Sequence, residues 1–231
     1  MSTDRFEAHD YYLMDELLTE EQKLIREAAR AWVKKEVSPI IEDCFETCKF
    51  PEHLLPGLGE IGAFGPYIPV EYGGAGLDQI SYGLLMQELE RCDSGLRSTA
   101  SVQSSLVMYP IWKYGNEEQK NKYLPKLATG EWLGCFGLTE PDYGSNPGGM
   151  ITNFKDMGDH YLLNGSKMWI SNSPISQVAV VWAKDEAGRI HGLIVEKGME
   201  GFTAPEMHGK HSLRASITGE LIFDNVKVPK E

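Results

Sequence analysis

The sequence predicts an α+β chain in two parts, an all-helical bundle followed by an antiparallel β-barrel or sandwich. Three observations carry that prediction. Up to about residue 131 the apolar residues recur at helical spacing. From about Trp132 the period drops to two. Turn residues then recur at the short intervals of an antiparallel β domain. The 231 residues, 42% hydrophobic and 24% charged, have globular composition and suit one large domain or two modest ones. The division falls between residues 1–131 and 132–231.

The first helix begins at Leu18-Thr19, where Thr19 and Gln22 have capping-box spacing. Leu24, Ile25, Ala28, Ala29, Trp32 and Val33 recur on one helical face, and Pro39 marks an end or a kink. A short second helix starts near Pro51 and turns Leu54, Leu55, Leu58 and Ile61 inward. Residues 62–69 and 71–76 read as loop. A third helix covers about 82–91, a fourth starts after Asp93-Ser94 and runs toward Tyr109, and a fifth covers 116–128 with Asn116 as its cap. Residues 178–182 and 193–195 are strand cores, and 221–223 and 226–228 close the chain. Asn164-Gly165, between YLL and SKMWIS, predicts a hairpin with a type I′ turn.

Charge and motifs exclude several functions. A formal net charge of −12 argues against nonspecific nucleic-acid binding, without forbidding an anionic small ligand. No apolar run is long enough for membrane insertion. The acidic start MSTDRFEAHDYYLMDE resembles neither a secretory signal nor a transit peptide, which implies a cytoplasmic protein, or a mitochondrial-matrix one whose leader has been removed. The histidines form no HxH or HxxxH pair, and Cys44 and Cys48 lack a second ligand pair, so no metal site is expected. Cys44, Cys48, Cys92 and Cys135 read as reduced, mostly buried thiols. Phosphate loops of the GxxxxGK[ST] and GxGxxG types are absent.

Three stretches carry candidate chemistry. GCFGLTEPDYGSNPGGM, residues 134–150, is a strand that runs into more turn residues than one reversal needs. Backbone N–H groups near Leu138 and Thr139, the Thr139 hydroxyl and the Gly144-Ser145 turn suit a polar-edged ring or a phosphate. Spacing alone favours an ordinary structured turn. In KMWISNSPIS, residues 167–176, Trp169 offers a flat apolar wall with the Ser171 hydroxyl beside it, although a single Trp is more often core. In the fourth helix Ser94, Arg97, Ser98, Ser101 and Ser105 form one stripe of hydroxyls around a guanidinium. Solvated faces are usually rich in Lys and Glu, whereas this stripe suits a recessed anion site in which Arg matches a carboxylate.

GLTEPDYGSN followed by GSKMWISNSP strongly resembles the acyl-CoA dehydrogenase family, and the likeness covers essentially the whole chain. It implies a helical N-terminal domain, a middle β domain and a C-terminal four-helix domain, the last absent from these residues, with FAD between the last two. By resemblance, Phe136, Leu138, Thr139, Gly144 and Ser145 lie along the flavin and the acyl-CoA, and Trp169 and Ser171 against the isoalloxazine, Ser171 near N5. Many relatives carry Asp where this chain has Asn146 and Thr where it has Ser171. GKHSLRASITGELIFDNVKVP resembles the close of the middle domain, with structural or ligand-edge roles for Arg214 and Ser216.

ELERCDSGLRSTASVQSSLVMYPI is most similar to the glutaryl-CoA-specific members. That implies Arg97 as clamp for the distal carboxylate, Ser98 and Ser101 as supporting donors and Glu90 as the acidic residue beside them; the plainer alternative pairs Glu90 with Arg91 or a Lys. A buried Arg with no carboxylate opposite costs on the order of several kcal/mol, which would exclude methyl-ended chains. The resemblance implies α-proton abstraction, β-hydride transfer to flavin N5, decarboxylation to crotonyl-CoA, transfer of electrons to an electron-transfer flavoprotein, and a homotetramer serving lysine and tryptophan degradation. Its general-base Glu belongs to the absent domain, so no catalytic residue is assigned here. The chain is expected to be part of a longer enzyme, binding FAD weakly and inactive alone. The alternatives are a dehydrogenase or oxidase for another carboxylated or cyclic acyl-CoA, and a non-catalytic acyl-CoA-binding module.

Overall fold

The change of period is a change of architecture in the computed structural model, which describes residues 10–230. The reading of the N-terminal leader falls largely on residues 1–9, outside the described residues. Helix α1 (Glu20–Trp32) opens with the expected capping box, Gln22 N donating to Thr19 Oγ1 at 3.2 Å and Thr19 N to Gln22 Oε1 at 3.0 Å. Gln22 itself is buried, its Nε2 donating to Asp78 Oδ2 at 2.8 Å. This sets the inward face at Gln22, Ile25, Ala29, Trp32 and Val33. Leu24 and Ala28, expected on that face, fall on the exposed side, because a residue two positions from Gln22 lies half a turn round the helix. A π segment, Val33–Val37, continues α1 and stops short of Pro39.

Helix α2 (Ile41–Thr47) and α3 (Leu55–Glu60) follow, with Leu54 and Leu58 buried as predicted. Helix α4 (Gln79–Glu90) starts earlier than the periodicity suggests, because Asp78 Oδ1 accepts Ser81 N at 2.7 Å and caps it. Helix α5 (Ser94–Ser101), capped by Asp93, passes through a π segment, Val102–Met108, into α6 (Tyr109–Tyr114). The fourth helix thus extends beyond Tyr109. Pro110 is tolerated because it stands in the first turn of the new α register, where its missing N–H is not needed. Helix α7 (Glu117–Thr129) carries the Asn116–Gln119 capping box. No described helix is long and apolar enough to cross a membrane.

The β half is one curled, mostly antiparallel sheet. It comprises β1 (Gly134–Gly137), β2 (Asn153–Asp156), β3 (His160–Ser171), β4 (Val178–Lys184), β5 (Ile190–Glu196), β6 (Phe202–Thr203) and β7 (Thr218–Pro229). The order is β1-β4-β2-β3-β7-β6 with β5 on β4, and β1 runs parallel to β4. Alternation along β4 feeds two cores. Ala179, Val181 and Ala183 face a β interior with Leu163, Ile170, Leu221 and Phe223, while Val178 and Val180 join the helical core around Leu89, Leu96, Val107 and Leu127.

Asn164-Gly165 is not a hairpin turn. Strand β3 runs straight through it, and the reversals fall at Gly158 and Gly188. Between Leu163 and Gly165 the partners on β7 step from Val226 to Phe223, so β7 carries an extra residue at Asn225, whose φ is 53°. Asn225 N donates to Asn164 Oδ1 at 2.9 Å across this bulge. Glycine is needed at 165 because a Cβ there falls 2.6 Å from Thr152 Oγ1. All four cysteines are free, but only Cys135 is buried; Cys44 and Cys92 are half-buried, and Cys48 caps the end of α2 in the open.

Two buried side-chain amides join the halves. Gln103 Oε1 accepts Gly134 N at 2.8 Å, while its Nε2 donates to Leu127 O at 2.8 Å and Trp132 O at 2.9 Å. Asn172 Nδ2 donates to Gly134 O at 3.2 Å, and its Oδ1 accepts Thr99 Oγ1 at 3.2 Å. Both amides are fully buried. Arg214 adds a third link, capping the end of α2 through Phe45 O at 3.1 Å and Glu46 O at 3.0 Å. Gln103→Leu strips Gly134 N and Trp132 O of their partners and is expected to cost about 2–4 kcal/mol in urea denaturation. Ser105→Ala, on the half-buried face of the same helix, should stay within about 0.5 kcal/mol of the parent.

Candidate functional site

Strand β1 delivers Leu138 and Thr139 alongside the middle of β3. Met168 N donates to Thr139 O at 2.9 Å, and Lys167 Nζ donates to Leu138 O at 3.1 Å. The two motifs read separately in the sequence are therefore neighbours. Beyond Thr139 the chain leaves the sheet and returns at Ile151. Glu140 fastens both ends: its Oε2 accepts Ile151 N at 2.8 Å, and its Oε1 accepts Thr152 N at 3.0 Å and Lys167 Nζ at 2.9 Å. Lys167 is 0% and Glu140 2% exposed.

Burial pushes Lys167 below the usual lysine range, against the opposing effect of Glu140. Burial alone would raise Glu140, but the Ile151 and Thr152 hydrogen bonds together with Lys167 outweigh it and hold its carboxyl below the usual range. This pair was not singled out in the sequence as a site feature. Its signal was a lysine in phase with Leu163 on the inward face of a strand.

Trp169 is turned outward by a bulge. Leu163, Gly165 and Lys167 face inward opposite Val226, Phe223 and Leu221, and simple alternation would bring Trp169 in next. An extra residue between Lys167 and Ile170 gives that place to Ile170. Trp169 takes φ 63° and is left 61% exposed. A bulky side chain in this backbone region is strained, and such strain collects at ligand sites. Trp169 is not core. Ser171 follows two residues later on β3 and Thr139 is bonded to the adjacent Met168; both are half-buried, and their hydroxyls have no hydrogen-bond partner among the described residues. Gly144 and Ser145 lie exposed toward the tip of the pinned loop. Phe136 turns to the helical side of β1, its ring 6.1 Å from that of Trp182.

The stripe on α5 forms a second cluster. Arg97 Nε donates to Glu90 Oε2 at 2.6 Å and Nη1 to Ser101 Oγ at 3.3 Å, and Ser94 Oγ donates to Glu90 Oε1 at 2.5 Å. Burial would raise the Glu90 carboxyl, but Arg97 and Ser94 outweigh it and hold it low. Ser101 and Ser105 hydroxyls donate to the carbonyls of Ser98 and Ser101, while the Ser98 hydroxyl has no partner among the described residues. The expectation of a buried, uncompensated guanidinium is corrected here. The Arg97 side chain is 35% exposed and already faces a carboxylate. Arg91, the plainer partner for Glu90, lies instead 3.7 Å from buried Glu88. Thr99, on the side of α5 away from Arg97, is what joins this helix to the KMWISN strand.

A helical unit locked onto a curled sheet, with an outward tryptophan on one strand and a pinned loop after another, defines the class of fold: helices first, then a β half. The chain belongs to the acyl-CoA dehydrogenase family: residues 19–131 match its N-terminal domain and residues 135–226 its middle domain. It is 40% identical to glutaryl-CoA dehydrogenase of Desulfococcus multivorans over 226 residues, covering 94% of this chain and 58% of that protein. It is 39% identical to the short-chain-specific acyl-CoA dehydrogenase of Clostridium acetobutylicum over 222 residues, covering 94% and 59%. Glutaryl-CoA dehydrogenase of Mycobacterium smegmatis, solved in complex with FADH2, superposes with a TM-score of 0.92 at 47% identity, over 94% of this chain and 56% of that one. The chain thus spans a little over half the length of these relatives.

If the indole serves a ligand rather than the core, Trp169→Gly relieves the φ 63° strain, and unfolding free energy stays within about 1 kcal/mol of the parent or rises. Ile170→Ala, its buried neighbour, should cost about 2–5 kcal/mol in the same denaturation series. A large loss at Trp169 would make it a packing residue.

Proposed function

We propose that this chain is the flavin- and acyl-CoA-binding portion of an FAD-dependent acyl-CoA dehydrogenase that acts on glutaryl-CoA. The observation that carries the flavin reading is the strained, outward indole of Trp169, with Ser171 two residues on and Thr139 bonded to Met168, both hydroxyls unpartnered among the described residues. A flat apolar wall with hydroxyls at its margins fits a planar ring with polar edges. Trp169 would cover the face of the ring, Thr139 and Ser171 would hold its polar edge, and Gly144-Ser145 would leave room for the thioester carrier at the loop tip. Bound here, FAD supplies the two-electron oxidation of the acyl chain.

Arg97 supports the glutaryl reading. Glu90 and Ser101 hold two of its donors and so orient the guanidinium, while Nη2 and the rest of Nη1 have no partner among the described residues. That open edge matches a carboxylate at the far end of a five-carbon acyl chain. Because Glu90 already neutralises Arg97, selection does not rest on a bare buried charge. It rests on desolvation: a methyl-ended chain strips water from the open N–H groups and returns no hydrogen bond. Identity to relatives does not decide between glutaryl and short-chain substrates, so this residue is the discriminator.

Glu90 and Glu140 are both committed to ion pairs, and we assign neither as the base that removes the α-proton. We read an electron-transfer flavoprotein as the electron acceptor. FAD titration of the chain, followed by quenching of flavin fluorescence, is expected to show saturable binding that Trp169→Gly weakens; no uptake by the parent chain rejects the flavin reading. In an active enzyme containing this chain, Arg97→Met should lower kcat/KM for glutaryl-CoA about 10- to 100-fold, with little change for butyryl-CoA. An equal effect on both substrates removes the clamp.

A further inference from the structure

The loop between Glu140 and Ile151 has a weakness that one ion pair repairs. Its own hydrogen bonds are local: Glu140 N to Tyr143 O, Tyr143 N to Glu140 O, Gly149 N to Asn146 O and Met150 N to Pro147 O. Among the described residues, its hydrogen bonds to the rest of the protein run through the Glu140 carboxylate and the Lys167 ammonium, and Met150 is buried. Lys167 Nζ also reaches Leu138 O at 3.1 Å and stands 3.8 Å from Met150 Sδ. Three pieces of chain therefore meet at one buried pair: the exit of β1, the return of the loop and the centre of β3. Lys167 is two residues before the bulged Trp169, and the intervening Met168 N is bound to Thr139 O.

A buried ion pair is a poor way to gain stability, since an apolar couple of the same volume packs as well without desolvating two charges. What it adds is direction. Each carboxylate oxygen and each ammonium hydrogen fixes a different backbone group at hydrogen-bond distance.

We infer that the Glu140–Lys167 pair is a positioning element, which sets the spacing of Thr139 and the Gly144-Ser145 tip against Trp169 and so shapes the cofactor site. The assignment of that site to FAD rests on the reading under Proposed function; the hold on the loop does not.

The test compares the parent chain with Glu140→Gln, Lys167→Met and the double variant. The double variant removes both charges together and remains informative if either single variant fails to fold. Amide hydrogen exchange is read first, without FAD. In the double variant the amides of Ile151, Thr152 and Met168 are expected to exchange about tenfold faster or more, while those of Val180 and Val181 in β4 keep parental rates. FAD titration is read second, and the dissociation constant is expected to rise about tenfold or more. Parental exchange at Ile151, Thr152 and Met168 overturns the inference. So does loss of protection spread equally into β4, which marks a plain stabiliser, and so does unchanged FAD affinity with a loosened loop. If the parent chain takes up no FAD while the double variant exchanges selectively, the flavin assignment fails and the pair's control of the loop stands.

Discussion

Everything at the site depends on how Gly134 is held. Both of its backbone groups are spoken for by side-chain amides, the N–H by Gln103 from the helical half and the carbonyl by Asn172 from the end of β3. A Cβ at this position falls 2.5 Å from Val107, so the strand lies directly against the helix. β1 is four residues long, and its far end is the start of the candidate site. An error in its origin is passed on undamped to Leu138 and Thr139. Buried amides suit this task because their geometry is directional and each lost bond leaves an orphaned group in a dry interior.

The interior of the β half then departs twice from what packing alone would choose. A charged pair occupies space that apolar side chains fill elsewhere, and an extra residue in β3 expels an indole that alternation would have buried. Both departures lie within three residues of one another on β3, where Lys167 holds Glu140 and Met168 N is bound to Thr139 O. The cost is tolerated because the surrounding ladders are long: β3 pairs with β7 from His160 to Ser171. Regular structure on both sides over-determines the irregular centre. The same logic explains Asn172, a non-glycine residue with φ 71° that keeps its place through hydrogen bonds to both halves.

Much of this was legible in the sequence, because its signals are local. Capping boxes at Thr19 and Asn116 formed as read, and the shift from helical to alternating period marks a real change from helices to strands. Two of the misreadings come from a local signal outvoted by a partner distant in the chain. Leu24 looked inward until buried Gln22 set the helix by its bond to Asp78. Asn164-Gly165 had the chemistry of a turn, but Asn225 on the opposite strand used it for a bulge. Arg97 was read with Glu90 beside it, and what the sequence did not show is that Glu90 already binds its Nε. Trp169 and Ser171 were singled out by motif, yet the outward turn of the indole follows from strand register, which no short window contains.

The π segment at Val102–Met108 has a consequence for how such a chain can diverge. A wide turn stores one residue more than an α-turn, and each residue rotates a helix by about 100°. Deleting a single codon there would rotate the Arg97 stripe by more than a quarter turn relative to α6 without altering any residue in it. Tolerance of length variation at this point would let a lineage change which side chains that face of the helix presents by indexing, as a dial is indexed, rather than by substitution.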